Sequence, residues 1–219
     1  MATAESIQKA YIDYVLTHGE EPKSVYVFAR KNKMAEDEFY KFYGSFEAVE
    51  QGVWADIANT TITEINNQDI WPQYSSREKA LSFFYSFFEL LKRNRSFAVY
   101  SLKKHKTMLT HPQALNKLKE VVENFADSII KQGLESGELA DRKFLSKRYK
   151  DGLWMQFGFV LNFWVNDTSA GFEKTDEAIE KGVNVTFDLF QRSPIDNLLD
   201  YGKFLAKNAG FKEKMGFPV

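Results

Sequence analysis

The stretch Ser24–Glu47, SVYVFARKNKMAEDEFYKFYGSFE, decides the fold. Val25, Phe28 and Ala29 recur at helical spacing, which predicts a short helix near Val25–Lys31. Asn32-Lys33-Met34 interrupts the pattern. A second short helix is predicted near Glu36–Tyr43, with Phe39, Tyr40, Phe42 and Tyr43 turned inward or half-inward. Gly44-Ser45 stops it, and Ser45 is placed to cap a long helix running through Trp54 and beyond. Upstream, Ile7, Ala10, Tyr11, Tyr14, Val15 and Leu16 form another apolar helical face, closed by Gly19 as a C-terminal cap. Short helices in this order have the shape of a helix-turn-helix unit.

These residues resemble the N-terminal domain of the TetR (tetracycline-repressor) family of bacterial transcriptional regulators. Ile7, Ala10, Gly19, Ser24-Val25, Ala29, Phe39-Tyr40, Tyr43, Ser45 and Glu47 fall in the family's register, with no gap from Ser24 to Glu47. The resemblance implies an all-α chain: a helix-turn-helix DNA-binding-type domain over residues 1–48 and a larger helical domain over 49–219 for ligand binding and dimerisation. By position it makes Lys23, Ser24, Tyr40 and Lys41 the DNA contacts, with Tyr40 and Lys41 at family phosphate-contact sites.

The chain also departs from that pattern. Lys33-Met34-Ala35 stands where the family has Gly-Val-Ser, and Phe46 where it usually has Lys. Glu36, Asp37 and Glu38 open the recognition helix. DNA binding draws most of its affinity from Lys and Arg on phosphates, and three adjacent carboxylates work against that. Met1–Ala48 carries six basic side chains against eight acidic ones, a net of −2 where a basic footprint is expected. Two readings of the acidic run stand side by side: complementation of the helix dipole, and loss of DNA binding. Carboxylates accept from cytosine amino groups, but three in a row are hard to use that way.

Composition sets the outer bounds. At 219 residues the chain makes one large or two small domains. Its near-zero charge and pI of about 6.3 give no global polyanion-binding signal. The absence of cysteine excludes disulfides, thiolate catalysis and cysteine-ligated metals, and fits the cytoplasm. Met1-Ala-Thr-Ala-Glu-Ser leads straight into an amphipathic helix, with no signal peptide expected. The Phe83–Leu91 apolar cluster is far too short to span a bilayer, so no membrane partner is expected. His18, His105 and His111 are scattered, and neither an H-E-x-x-H pair, a glycine-rich phosphate loop nor G-x-S-x-G is present. The expectation is a non-enzyme without metal or cofactor.

Beyond the N-terminal unit the pattern stays helical. A long helix is predicted over Ser45–Asn66, with Val49, Val53, Trp54, Ile57, Thr61 and Ile65 buried, broken by Asn66–Asp69 and Trp71-Pro72. Ser75-Ser76 caps a helix from Arg77 to Asn94 whose apolar stripe is wide enough for burial on more than one side. Short and long helices follow over Ser96–Leu109 and from His111-Pro112 to Gly133. Lys103-Lys104-His105-Lys106 reads as a solvated face. The turn from Ile130 to Leu139 carries Gly133 and Gly137 as left-handed caps, and its I-x-x-G-x-x-x-G-E-L pattern again resembles the TetR family. Helices over Lys143–Val165 and Thr175–Arg192 follow, with Gly152 and Gly158 read as close-packing positions, then an added helix Ile195–Lys207 and a tail to Val219.

Twenty Phe supply either a core or a cavity. The pocket lining is expected among Phe84, Phe87, Phe88, Tyr100, His105, Phe125, Trp154, Phe157 and Asn162, holding a small apolar or aromatic molecule. The homodimer contact implied by the resemblance falls on Leu153, Leu161, Trp164, Ile179, Val183, Thr186, Phe187 and Phe190. The expected function is a TetR-like regulator that binds double-stranded DNA as a dimer and responds to the ligand by population shift. The alternative is a TetR-shaped protein that has lost DNA binding and holds a lipid- or isoprenoid-like ligand or a protein partner.

Overall fold

The computed structural model describes residues 2–104, 113–142 and 145–191, with 196, 201, 202, 204 and 205. The regular structure of the described residues is helical: α1 Ala4–His18, α2 Val25–Lys31, α3 Glu36–Tyr40, α4 Phe46–Asn66, α5 Ser76–Lys92, α6 Arg95–Lys104, α7 Asn116–Glu135, α8 Tyr149–Asn166 and α9 Glu173–Phe190, with short 3₁₀ turns between some of them. No strand occurs among them.

Local chemistry sets most of the boundaries. Thr3 and Ser6 form a reciprocal capping box at α1, and Gly19 closes that helix at φ 72°. The Ser24 hydroxyl accepts from the Val27 amide at 3.2 Å, and the Ser45 hydroxyl from the Ala48 amide at 3.2 Å. Ser75 and Glu78 cap α5 in the same reciprocal way. At α3 the N-cap is Ala35, whose side chain cannot accept. The Glu38 carboxylate reaches back instead and takes the Ala35 amide at 3.0 Å.

α1 packs on α4 and α6, α2 on α3, and α5 stands among α4, α7 and α9. α8 lies between α7 and α9. One continuous hydrophobic cluster runs from Ile7 on α1 to Phe190 on α9. α4 serves both ends: Val49 and Trp54 are buried near its start and Ile65 near its finish. A domain boundary at residue 48 therefore falls just inside a helix shared by both parts.

The two parts are also joined by a buried polar network. The Glu50 carboxylate on α4 is 1 % exposed. It accepts from the Tyr11 hydroxyl of α1 at 2.7 Å and the Ser101 hydroxyl of α6 at 3.1 Å. Ser101 in turn accepts from the Trp54 indole at 3.1 Å. Burial, and then the negative charge of Glu50, raise the Tyr11 hydroxyl's pKa, so it stays a donor.

Several expectations are corrected by packing. Phe39 and Tyr43 are buried, but Tyr40 and Phe42 stand half in solvent. α7 runs through Gly133 to Glu135, so only Gly137, at φ 77°, takes the left-handed conformation. Gly133 serves contact: a Cβ there would meet Leu139 Cγ at 2.6 Å and Ser76 Oγ at 2.7 Å. Gly152 packs closely on Phe190, whereas Gly158 faces open space. His105, Met108 and His111-Pro112 lie outside the described residues, as do most of the added helix expected over 195–207 and the tail.

Candidate nucleic-acid interface, ligand cleft and self-association face

α2, the turn 32–35 and α3 form the helix-turn-helix. Lys33 takes the left-handed conformation at φ 56°, the position where glycine is usual. Lys23, Ser24, Tyr40 and Lys41 are all exposed, Lys23 and Ser24 just before α2 and Tyr40 and Lys41 at the end of α3. The Lys41 ammonium lies 3.5 Å from the Asp37 carboxylate one turn back. Arg30 and Lys31 add exposed cations at the end of α2. The Arg30 guanidinium lies over the Tyr26 ring at 5.9 Å, and Lys31 Nζ over Tyr14 at 4.7 Å and 3.3 Å from His18 Nε2. Two of the three acids thus have local tasks: Glu38 caps α3 and Asp37 pairs with Lys41.

The expected aromatic pocket closes on itself. Phe84, Phe87, Phe88, Phe125 and Phe157 are each 9 % exposed or less. Their rings interlock, with Phe83 and Phe125 stacked at 4.7 Å and Phe87 edge-on to Phe157 at 5.0 Å. The residual space beside Phe83, Phe84 and Phe125 is about 10 Å³, scarcely room for one water. Trp154 stacks half-buried on Phe157, Tyr100 is half-buried on α6, and Asn162 points outward on α8. The five phenylalanines therefore form core rather than the wall of an open cavity.

Open space lies elsewhere: one cleft of about 400 Å³ sits among α4, α5, α7 and the 3₁₀ turn Trp71–Gln73, and another of about 390 Å³ lies beside Glu64, Tyr85, Glu89, Arg93 and Asp176. Ile62, Val121, Phe125 and Ile129 make the first cleft's apolar lining, and Asn59, Asn66, Asn124 and Ser128 its polar rim. Lys79 and Gln132 also line it. Of its residues the sequence reading named only Phe125 as pocket lining, because the lining is gathered from three helices and the turn at Trp71 and only packing brings it together. The one available signal was Lys79, a lysine within the stripe of α5 beside Ala80 and Phe83.

The expected dimer residues are placed differently. Leu153, Leu161, Trp164, Ile179, Val183, Phe187 and Phe190 are buried within the subunit at 0–8 % exposure, and Thr186 is half-buried. The seven buried side chains join α8 and α9 to their own core and leave almost no surface to offer another copy, whereas Thr186 keeps a partly exposed edge. The outward face is a second stripe: Met155, Phe159 and Phe163 on α8, with Val185 and Leu189 on α9, each at least 42 % exposed. The i, i+4, i+8 spacing of the α8 residues is visible in the sequence.

Among the described residues, no group of His, Asp or Glu is arranged to hold a metal ion, and no helix is long and apolar enough to cross a membrane.

An N-terminal helix-turn-helix carried on an all-α body defines the class of helical regulator-type proteins. Residues 79–205 match the tetracyclin repressor-like C-terminal domain family. The chain belongs to the TetR family. Its fold is similar to that of the TetR transcriptional regulator from Nitrosomonas europaea ATCC 19718, at TM-score 0.58 and 12% identity over 85% of this chain and 98% of that one. It is also similar to a protein assigned to the tetR family of transcription regulators from Shewanella sp. PV-4, at TM-score 0.58 and 15% identity over 88% and 100% of the two chains. No curated protein matches by sequence.

Proposed function

We propose that the chain is a transcriptional regulator that binds double-stranded DNA as a homodimer and changes its DNA affinity when a small molecule occupies the C-terminal helical part. The observation that carries this reading is the uncommitted apolar stripe of Met155, Phe159, Phe163, Val185 and Leu189 on a chain whose far end is a helix-turn-helix. An isologous contact along that stripe gives two helix-turn-helix units in one particle, as a palindromic site requires. Residues 1–48 then act as the DNA-binding part and 49–219 as the ligand-binding and dimerisation part, with α4 passing between them. Lys23, Ser24, Tyr40 and Lys41 are the proposed DNA contacts, joined by Arg30 and Lys31.

The test is binding to the DNA upstream of the protein's own gene, beside a scrambled duplex, at two salt concentrations. Preferential binding that weakens steeply with salt is expected. Failure to bind the upstream DNA at low salt refutes regulation of its own gene. It favours the second reading, in which the helix-turn-helix no longer reads DNA and the body serves a lipid- or isoprenoid-like ligand or a protein partner. Glu36, Asp37 and Glu38 at the start of α3, with Lys41 already paired, are the observations on that side.

A further inference from the structure

We propose that the α4–α5–α7 cleft is the ligand site and that it takes a small organic anion with a compact apolar body. The reasoning starts at Lys79. This residue is 7 % exposed, yet no carboxylate of the described residues lies within ion-pair distance of its ammonium. Its contacts are the Gln132 side-chain oxygen at 2.5 Å and the face of Trp71 at 5.1 Å. Both are partial: an amide oxygen and a ring quadrupole carry no net negative charge. A buried cation compensated only by dipoles is an unfilled half of an ion pair.

Gln132 is held in place for this. Its amide nitrogen donates to the Tyr74 carbonyl at 3.2 Å, which turns its oxygen toward Lys79. The cleft beside the ammonium has the volume of a small-molecule site. Its lining of Ile62, Val121, Phe125 and Ile129 suits an apolar body. The rim amides of Asn59 and Asn124 donate and accept, and so suit an anion's remaining oxygens or its ring substituents. The self-filled aromatic core offers no space of that size, and the cleft of about 390 Å³ beside Glu64, Glu89, Arg93 and Asp176 carries three acids against one base, which disfavours an anion. This assignment rests on the ligand-responsive reading for its biological consequence, but the binding itself is independent of DNA.

The test uses the full-length protein without DNA and naphthoate as the probe, with naphthylmethanol as its uncharged counterpart, both titrated by calorimetry. Naphthoate is expected to bind at least about tenfold more tightly than the alcohol. Lys79→Met, which keeps the aliphatic stem, is expected to abolish that preference. Asn124→Trp, at an exposed rim position, is expected to fill the cleft and weaken both probes, which keeps the test available if Lys79→Met does not fold. Equal binding of the two probes, no binding of naphthoate, or full naphthoate affinity in either folded variant overturns the assignment. DNA affinity with and without naphthoate is then measured separately. Naphthoate binding without any DNA binding leaves the anion site standing and refutes only the regulator reading.

Discussion

Phe159→Glu is the substitution that tests self-association most directly. Phe159 is 63 % exposed and lies midway along the outward stripe of α8. A phenylalanine side chain buries roughly 200 Å² at most, so about 125 Å² of this one remains to be covered. At ~25 cal/mol per Å² that is about 3 kcal/mol for each copy, and two-fold symmetry counts it twice. Incomplete burial and the cost of association halve the usable part, leaving about 3 kcal/mol in the dimer. Glutamate removes this and places a carboxylate in an apolar contact twice over. The expected result is a rise in the dimer dissociation constant of at least about a hundredfold. Sedimentation equilibrium across a dilution series measures it, with thermal unfolding at a concentration where both proteins are monomeric as the control. Phe159 does not belong to the subunit core, so intrinsic stability should hold. Leu161→Ala supplies the contrast: Leu161 is buried at 2 %, and its loss should unfold the subunit more readily by about 2–5 kcal/mol rather than dissociate it selectively. A monomeric wild-type protein, or a Phe159→Glu protein that dimerises as tightly as wild type, refutes the assignment of this face.

Four further outcomes are expected. Tyr11→Phe removes a 2.7 Å donor from the buried Glu50 carboxylate and should cost about 1.5–3 kcal/mol by urea unfolding; a loss under about 0.5 kcal/mol would count against the network. Gly133→Ala drives a Cβ into Leu139 and Ser76 and should destabilise by about 1–3 kcal/mol, against the small gain an unhindered helical glycine would show on the same change. Asp167 contributes to acid stability: burial pushes its carboxyl up, but hydrogen bonds from Thr175 and Ser169 outweigh burial and hold it at about 2, below its ordinary 3.8. The folded value is the lower one, so this contribution is complete above the unfolded value and is lost as pH falls from the unfolded value toward the folded one. The urea midpoint should drop across that window, and Asp167→Asn should flatten the drop. Asp37→Asn frees Lys41 from its 3.5 Å partner; if the chain binds DNA, affinity should rise at low salt and the log–log salt slope should steepen by up to about one unit.

Local chemistry was the legible part of this chain. Val25–Lys31 was readable as a helix because its apolar spacing is undisturbed, and Ser45, Ser75 and Gly19 announced themselves as caps. What the sequence hid was direction. On α8, Leu153, Phe157, Leu161 and Trp164 make one apolar stripe and Met155, Phe159 and Phe163 another; helical periodicity shows both but does not tell which faces the core. The neighbours decide: α7 and α9 flank α8, and the first stripe fills the space between them. The phenylalanines of α5 posed the same problem in another form. A phenylalanine that walls a cavity and one that fills it have the same pattern, and only the interlocking of Phe83, Phe87, Phe125 and Phe157 separates the cases. Lys79 escaped notice because a lysine reads as surface until its surroundings are known.

α4 gives these separate observations a common mechanical basis. Its first turns hold Glu50, which accepts from Tyr11 on α1 and Ser101 on α6. Its last turns supply Asn59, Ile62 and Asn66 to the cleft. Glu50 and the cleft therefore sit on one continuous helix, 21 residues long and without an internal proline or kink, so its two ends move together. A ligand in the cleft meets α4 at one end, and α1, the first helix of the N-terminal part, is fastened to the other by a hydrogen bond from Tyr11 to a buried carboxylate rather than by apolar contact alone. Apolar contacts slide at little cost. A hydrogen-bonded buried carboxylate does not, because any displacement that breaks a bond leaves charge unsatisfied. Under the proposed function, a shift of α4 would be passed to α1 instead of being absorbed at the junction. The proposed coupling needs no separate pathway, only that the ligand favour one of two placements of this helix.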